Sequence, residues 1–274
     1  MLKRTLTACV AIPIAFFLIR AGGILFTLGV LILSLVGWYE FRQMMLTKNY
    51  KVYYLTSCLA VLALVISAHL GVATAWAAPV MTFSILGIML EALYYHRRGN
   101  WAPEVALSSC AVLYIGLLFS HFVLLRHLDG MVPNTGLNLS LGEGLLWVAL
   151  IGTWSSDTFA YIFGCTLGKH HLMPSVSPKK SIEGAVAGFI GCFIVVAALG
   201  NLWLGFPLLK MLIWGLVIGI FAPLGDLVES LMKRSFAIKD SGNFFPGHGG
   251  VLDRFDSLLF VIPISYYYIK CVLL

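Results

Sequence analysis

The chain has 274 residues, 60% of them hydrophobic and only 11% charged, with a formal net charge of +6. An ordinary soluble domain carries roughly 25% charged residues, so a water-soluble globular protein is excluded and an integral membrane protein is expected. The basic excess reads as loops lying against anionic lipid headgroups, and nucleic acid is not expected as a partner.

In chain order, apolar runs that could cross a bilayer as helices, about 20 residues each, fall at about 5–19, 24–41, 53–71, 74–95, 105–125, 144–164, 184–205, 208–232 and 254–273. The count is nine, or eight if the short first run, ending at Arg20 and Gly22-Gly23, forms half of a tight hairpin with the second. Met1-Leu2-Lys3-Arg4 before an apolar run imitates a signal peptide, but without a small-x-small cleavage site it reads as a retained first helix. The spans define an all-α polytopic membrane protein, expected as a single membrane domain over 1–274. Within it, 1–125 holds N-terminal spans of weak signature, and 144–274 holds the catalytic spans and loops.

Lys and Arg concentrate in short cytoplasmic loops. With the N-terminus inside, fourteen of the eighteen basic residues become cytoplasmic, among them Arg42, Lys48, Lys51, Arg97, Arg98, Lys179, Lys180, Lys233, Arg234, Lys239 and Arg254. Only Arg20, Arg126, Lys210 and Lys270 fall outside, which favours N-in and C-out with the polar site on the cytoplasmic side. For most of these residues, a role in setting topology suffices. The six cysteines lie singly, as small buried hydrophobes would, without zinc-site or disulfide spacing.

Carboxylates are scarce and gathered. Of twelve, Asp226, Glu229, Asp240, Asp253 and Asp256 lie within about thirty residues, and Asp157 stands in TWSSDTFAYIFG. Spans six and eight run in the same direction, which puts Asp157 and Asp226 each about 10 Å below the cytoplasmic surface at 1.5 Å per residue. Asp253 and Asp256 open the last span at that face, one helical turn apart. Ionisable groups inside a bilayer are functional candidates by default. Carboxylates at one depth would repel unless a cation lay among them, and Mg²⁺ suits one or two carboxylates with substrate phosphate oxygens completing its shell. Lys233, Arg234, Lys239 and Arg254 supply bases for phosphate. Gly249 and Gly250 beside His248 allow close backbone approach and turn N–H groups toward anions at a helix start. Acids for metal and bases for phosphate together suggest phosphoryl or nucleotidyl transfer.

The stretch SLMKRSFAIKDSGNFFPGHGGVLDRFD, residues 230–256, resembles the signature of the phosphatidate cytidylyltransferases, or CDP-diacylglycerol synthases. The matching positions are Ser230, Lys233-Arg234, Lys239-Asp240, Gly242, Phe245-Pro246, His248-Gly249-Gly250 and Asp253-Arg254-Phe255-Asp256. GDLVES (225–230), SPKKSIEG (177–184) and Asp157 to Tyr161 are similar to the family as well. The resemblance implies conversion of phosphatidate and CTP to CDP-diacylglycerol and pyrophosphate, in phospholipid biosynthesis. It implies Asp226, Asp253 and Asp256 as metal ligands with Asp157 as a fourth, and Lys233 as the cation that neutralises triphosphate charge. Ser230, Arg234, Lys239, His248, Gly249, Gly250, Arg254, Lys179 and Lys180 become substrate-binding residues. Mg²⁺ as one or two ions, K⁺ beside it, a homodimer and the inner membrane of a bacterium are implied in the same way. Glu229 either joins the acids or bonds another span. An ion-coupled transporter would place its acids near the midplane in repeated halves, and no such repeat is visible.

Overall fold

The computed structural model describes residues 2–95, 100–132 and 139–274. Arg97 and Arg98 lie outside the described residues, as do the side chains of Lys3 and Arg4. Nine helices occupy the described chain: α1 Leu2–Ala21, α2 Gly23–Leu46, α3 Tyr54–His69, α4 Ala73–Tyr94, α5 Trp101–Arg126, α6 Leu141–Leu167, α7 Ile182–Trp203, α8 Leu208–Ser235 and α9 Leu252–Leu273. A two-stranded hairpin, β1 His171–Met173 and β2 Ser177–Ser181, precedes α7.

Each expected apolar run is thus a helix. Six of them (α2, α4, α5, α7, α8 and α9) are by length and composition able to cross a membrane; α3 and the Cys9–Ala21 part of α1 are shorter. Helix α6 is continuous over 27 residues, but its apolar sequence is broken by Thr153, Ser155, Ser156, Asp157 and Thr158. The chain reverses between α1 and α2 at Gly22 and Gly23, whose φ values of 62° and 50° lie where only glycine sits without strain. Leu18 then packs on Gly29, so the two helices fold back on each other.

By contacts the described chain forms two compact units. The first comprises residues 1–124 and 233–255. Tyr53, Ala60, Leu64, Ile88, Ala92 and Val112 form a buried core from α3, α4 and α5. Polar groups within this apolar packing are matched: Trp38 Nε1 donates to Ser57 Oγ at 3.0 Å, and Thr27 Oγ1 bonds His69 Nδ1 at 2.9 Å. The start of α3 is capped from other helices, because Glu91 accepts from Thr56 N and Glu104 from Lys51 N and the Tyr53 hydroxyl.

The second unit comprises residues 125–232 and 256–274. Helices α6 and α7 pack antiparallel at small residues: a Cβ on Gly184 would stand 2.7 Å from Ala160 O, and one on Gly188 2.6 Å from Ser156 O. Helix α8 carries Gly215 and Gly219 against Phe193 and Phe189 of α7. Between α8 and α9, Trp214 Nε1 donates to Ser265 Oγ at 2.9 Å and the Tyr268 hydroxyl to Lys210 O at 2.6 Å.

Large apolar side chains also cover the outside. Helix α4 exposes Phe83, Leu86, Leu90 and Leu93, and α8 exposes Leu209, Ile213, Leu216 and Ile220. Water would penalise such faces and lipid tails would not. The cysteines follow suit and correct an expectation. Only Cys192 is buried, while Cys9, Cys110, Cys165 and Cys271 are exposed, because a helix in lipid can turn a small apolar side chain outward at no cost.

Candidate active site

The second unit assembles an acidic cluster at the crossing of α8 and α9. A Cβ on Gly225 would lie 2.6 Å from Asp256 O and 3.0 Å from Ser257 Cα, so only glycine lets the two backbones meet there. Asp226 follows that glycine on α8, and Asp256 faces it from α9. The carboxylate charges of Asp226, Glu229 and Asp157, in that order, act on Asp256. The crossing thus carries Asp226 and Asp256 to one place; Glu229, one turn along α8, is fully buried, whereas Asp157 of α6 is exposed. Asp226 Oδ1 accepts from Ser230 Oγ at 3.2 Å, one turn along α8, and Asp256 Oδ1 accepts from Ser257 N at 2.6 Å.

A cation reaches this cluster from the hairpin. Lys180 Nζ pairs with Asp226 Oδ2 at 2.5 Å, with both side chains somewhat under a third exposed. Strand β2 sets Lys180 by antiparallel pairing, His171 opposite Ser181 and Met173 opposite Ser177. Ser181 then caps α7, its Oγ accepting from Gly184 N at 3.1 Å. Glu183 ties down the other end of the hairpin by accepting from Lys169 N and His170 N and bonding His170 Nδ1 at 2.6 Å. Lys179 is exposed.

The first unit builds a second cluster around the signature loop. Lys233, in the last turn of α8, donates to Asp253 Oδ1 at 2.6 Å, and the two side chains are only 11% and 6% exposed, so this is a buried ion pair. Asp253 Oδ2 accepts from Ser241 N at 2.8 Å, Ser241 Oγ at 3.0 Å and Gly250 N at 2.8 Å. Both of its oxygens are thus engaged by the protein. A further carboxylate, Glu40 of α2, accepts from Val251 N at 2.9 Å, Leu252 N at 3.0 Å and Ser241 Oγ at 3.1 Å. The N–H groups at the start of α9, expected to face a ligand anion, therefore point to the protein's own Glu40 and Asp253. The loop between is held by Phe245 N to Gly249 O and His248 N to Phe245 O, and Gly249 takes a φ of 90° over Asp253. His248 Nδ1 is buried without a hydrogen-bond partner among the described residues. Arg234, Lys239 and Arg254 are exposed, and Arg234 Nη1 donates to Ile238 O at 3.3 Å.

The donors of the acidic cluster are all oxygen, the hard set that Mg²⁺ takes. Among the described residues, however, no three His, Cys, Asp or Glu side chains converge as a complete metal-holding group. Asp226 is turned to Lys180 and Ser230 instead.

Sequence reading missed Glu40. Its signal was present: it is the sole carboxylate in the 24 residues of α2, an ionisable group within an apolar helix. Its partners lie more than 200 residues away, beyond the reach of any local pattern.

Helices with lipid-type surfaces, partly buried acids at a helix crossing and the Lys180 ammonium group paired with one of them are the features of a polytopic membrane enzyme. A family model described as the cytidylyltransferase family matches residues 2–272. The chain is similar to the phosphatidate cytidylyltransferase of Bacillus subtilis (strain 168), 33% identical over 271 residues that cover 97% of each chain. It is also similar to those of Staphylococcus haemolyticus (34% over 266 residues, 95% of this chain and 96% of the relative) and Staphylococcus aureus strain COL (34% over 271 residues, 95% and 96%). The chain belongs to the cytidylyltransferase family.

Proposed function

We propose that the protein makes CDP-diacylglycerol and pyrophosphate from phosphatidate and CTP, as a multi-pass protein of a bacterial inner membrane with its N-terminus and site on the cytoplasmic side. The observation that carries this reading is the meeting of Asp226, Asp256 and Lys180 from three separate elements. The name borne by full-length relatives supports the substrates. The distribution of Lys and Arg supports the orientation.

In the reaction, an oxygen of the phosphatidate phosphate forms a bond to the α-phosphorus of CTP while the bond from that phosphorus to the bridging α–β oxygen breaks, and pyrophosphate leaves. The lipid phosphate is already ionised near neutral pH, so no general base is needed. What the enzyme must supply is alignment and charge neutralisation between two anions. Asp226 and Asp256, with Asp157 beside them and the Ser230 hydroxyl near, would hold Mg²⁺, which supplies Lewis-acid neutralisation of phosphate oxygens when bound. One or two protein carboxylates suffice for magnesium when substrate phosphates and water complete its shell. Lys180 keeps Asp226 neutralised until substrate phosphate competes for the ammonium group, and Lys179 lies one residue earlier on the same strand for a headgroup or triphosphate.

Lys233 is assigned to triphosphate charge, and the exposed Arg234, Lys239 and Arg254 to substrate phosphate as well. Asp253, which accepts from Lys233, Ser241 N and Gly250 N and shares the single Ser241 hydroxyl proton with Glu40, is given the role of orienting Lys233. His248, Gly249 and Gly250 shape the loop.

The test is purified protein in detergent with labelled CTP, phosphatidate and Mg²⁺. Label entering the lipid phase with equimolar pyrophosphate is the expected result. Absence of both, with solute flux in liposomes, would point to transport.

A further inference from the structure

Glu40 has no part in the chemistry above, yet it lies beneath the loop that carries most of the signature. It is 4% exposed in an apolar helix, where a carboxylate is tolerated only if enough donors reach it. Three do. Two of them are Val251 N, just before α9, and Leu252 N, its first residue, and N–H groups at a helix start have no partner within the helix. Glu40 is therefore an N-cap supplied by another helix, and its charge suits the positive end of the α9 dipole.

The third donor links it to the signature pair. The Ser241 hydroxyl has one proton and stands 3.1 Å from Glu40 Oε2 and 3.0 Å from Asp253 Oδ2, so one side chain sets the spacing of both carboxylates. Asp253 in turn holds Lys233. The loop has also been shaped around Glu40: a Cβ at Gly242 or at Gly250 would collide with its carboxylate.

We propose that Glu40 is a positioning residue for CTP, which sets the signature loop and, through Ser241 and Asp253, the place of the Lys233 ammonium group. The inference rests on the assignment of Lys233 to the triphosphate. A lysine is a point charge on a flexible stem, and its location in space is decided by what its counter-ion is fixed to. With Glu40 changed to glutamine, one of the two capping oxygens becomes a donor and the charge is lost, and nucleotide binding must restore the order that the protein had supplied beforehand.

The experiment compares Glu40→Gln with wild type as full-length protein in detergent and lipid. Initial rates are measured against CTP at saturating phosphatidate and Mg²⁺, and then with the two substrates exchanged. The expected result is a KM for CTP raised about tenfold, the scale of a lost helix cap, with the KM for phosphatidate unchanged within about a factor of two. A wild-type KM for CTP overturns the proposal. So does an equal rise in both KM values alongside a loss of folded protein, which is the pattern of plain fold support. If Glu40→Gln is not recovered folded, Ser241→Ala decides by the same criteria, because it removes the hydroxyl link while leaving the cap. Lys233→Met run in parallel separates the two readings. If it is impaired while Glu40→Gln is normal, only the role of Glu40 falls; if it too is normal, the assignment of Lys233 falls first.

Discussion

Replacing Gly225 by alanine adds one methyl group at the point where α8 and α9 carry Asp226 and Asp256 past each other. The new Cβ would sit 2.6 Å from Asp256 O, about 0.8 Å short of the 3.4 Å at which ordinary van der Waals contact begins. Its other neighbours are Ser257 Cα at 3.0 Å and Phe260 Cβ at 3.2 Å, so no rotation of a flexible side chain relieves the clash. The helices must separate, at a cost of about 1–3 kcal/mol for an overpacked contact. A displacement approaching 1 Å in a reacting geometry costs on the order of a hundredfold in rate. The expected outcome is a fall in kcat/KM of roughly ten- to a hundredfold, with protein that remains folded in detergent. Gly219→Ala serves as the comparison on the same helix: its Cβ meets the Phe189 ring at 2.9 Å and the Phe189 backbone only at 3.3–3.4 Å, a milder contact away from the carboxylates. It should keep near-normal kinetics. The assay is CTP-dependent conversion of phosphatidate with thermal unfolding measured on the same samples. Unaltered kcat/KM in Gly225→Ala, or an equal loss in Gly219→Ala, would refute the argument that this crossing sets the carboxylates.

Asp226→Asn and Asp256→Asn delete charge at nearly constant volume, and each should lower turnover by at least about a hundredfold; near-normal rates for both at saturating Mg²⁺ would remove them from the metal role. Lys233→Met and Asp253→Asn should be strongly non-additive in a double-mutant cycle on kcat/KM, with a coupling of about 0.5–3 kcal/mol, since each single change leaves a buried charge without its partner; simple additivity would argue that the two act separately. Trp214→Phe leaves the fully buried Ser265 without its donor and should cost about 1–3 kcal/mol of stability, read as a lower unfolding midpoint, while substrate KM values stay put.

How much of this was legible in the residues themselves divides along range. The nine helices follow from runs of apolar residues, because a backbone in lipid must satisfy its own hydrogen bonds and a helix does so within about twenty neighbouring residues. The signature acids and bases between Asp226 and Asp256 were legible for a related reason: charge is so costly in an apolar chain that a local concentration of it stands out. The pairing of those groups was not legible. Nothing near Asp253 in the sequence showed that it would pair with Lys233, and Lys180 gave no sign that it would reach Asp226 rather than solvent. Glu40 was an isolated acid whose partners come from the far end of the chain. Helix formation is a property of consecutive residues, whereas the choice of counter-ion depends on which backbones approach closely enough. Approaches such as that at Gly225 are decided only when distant segments pack.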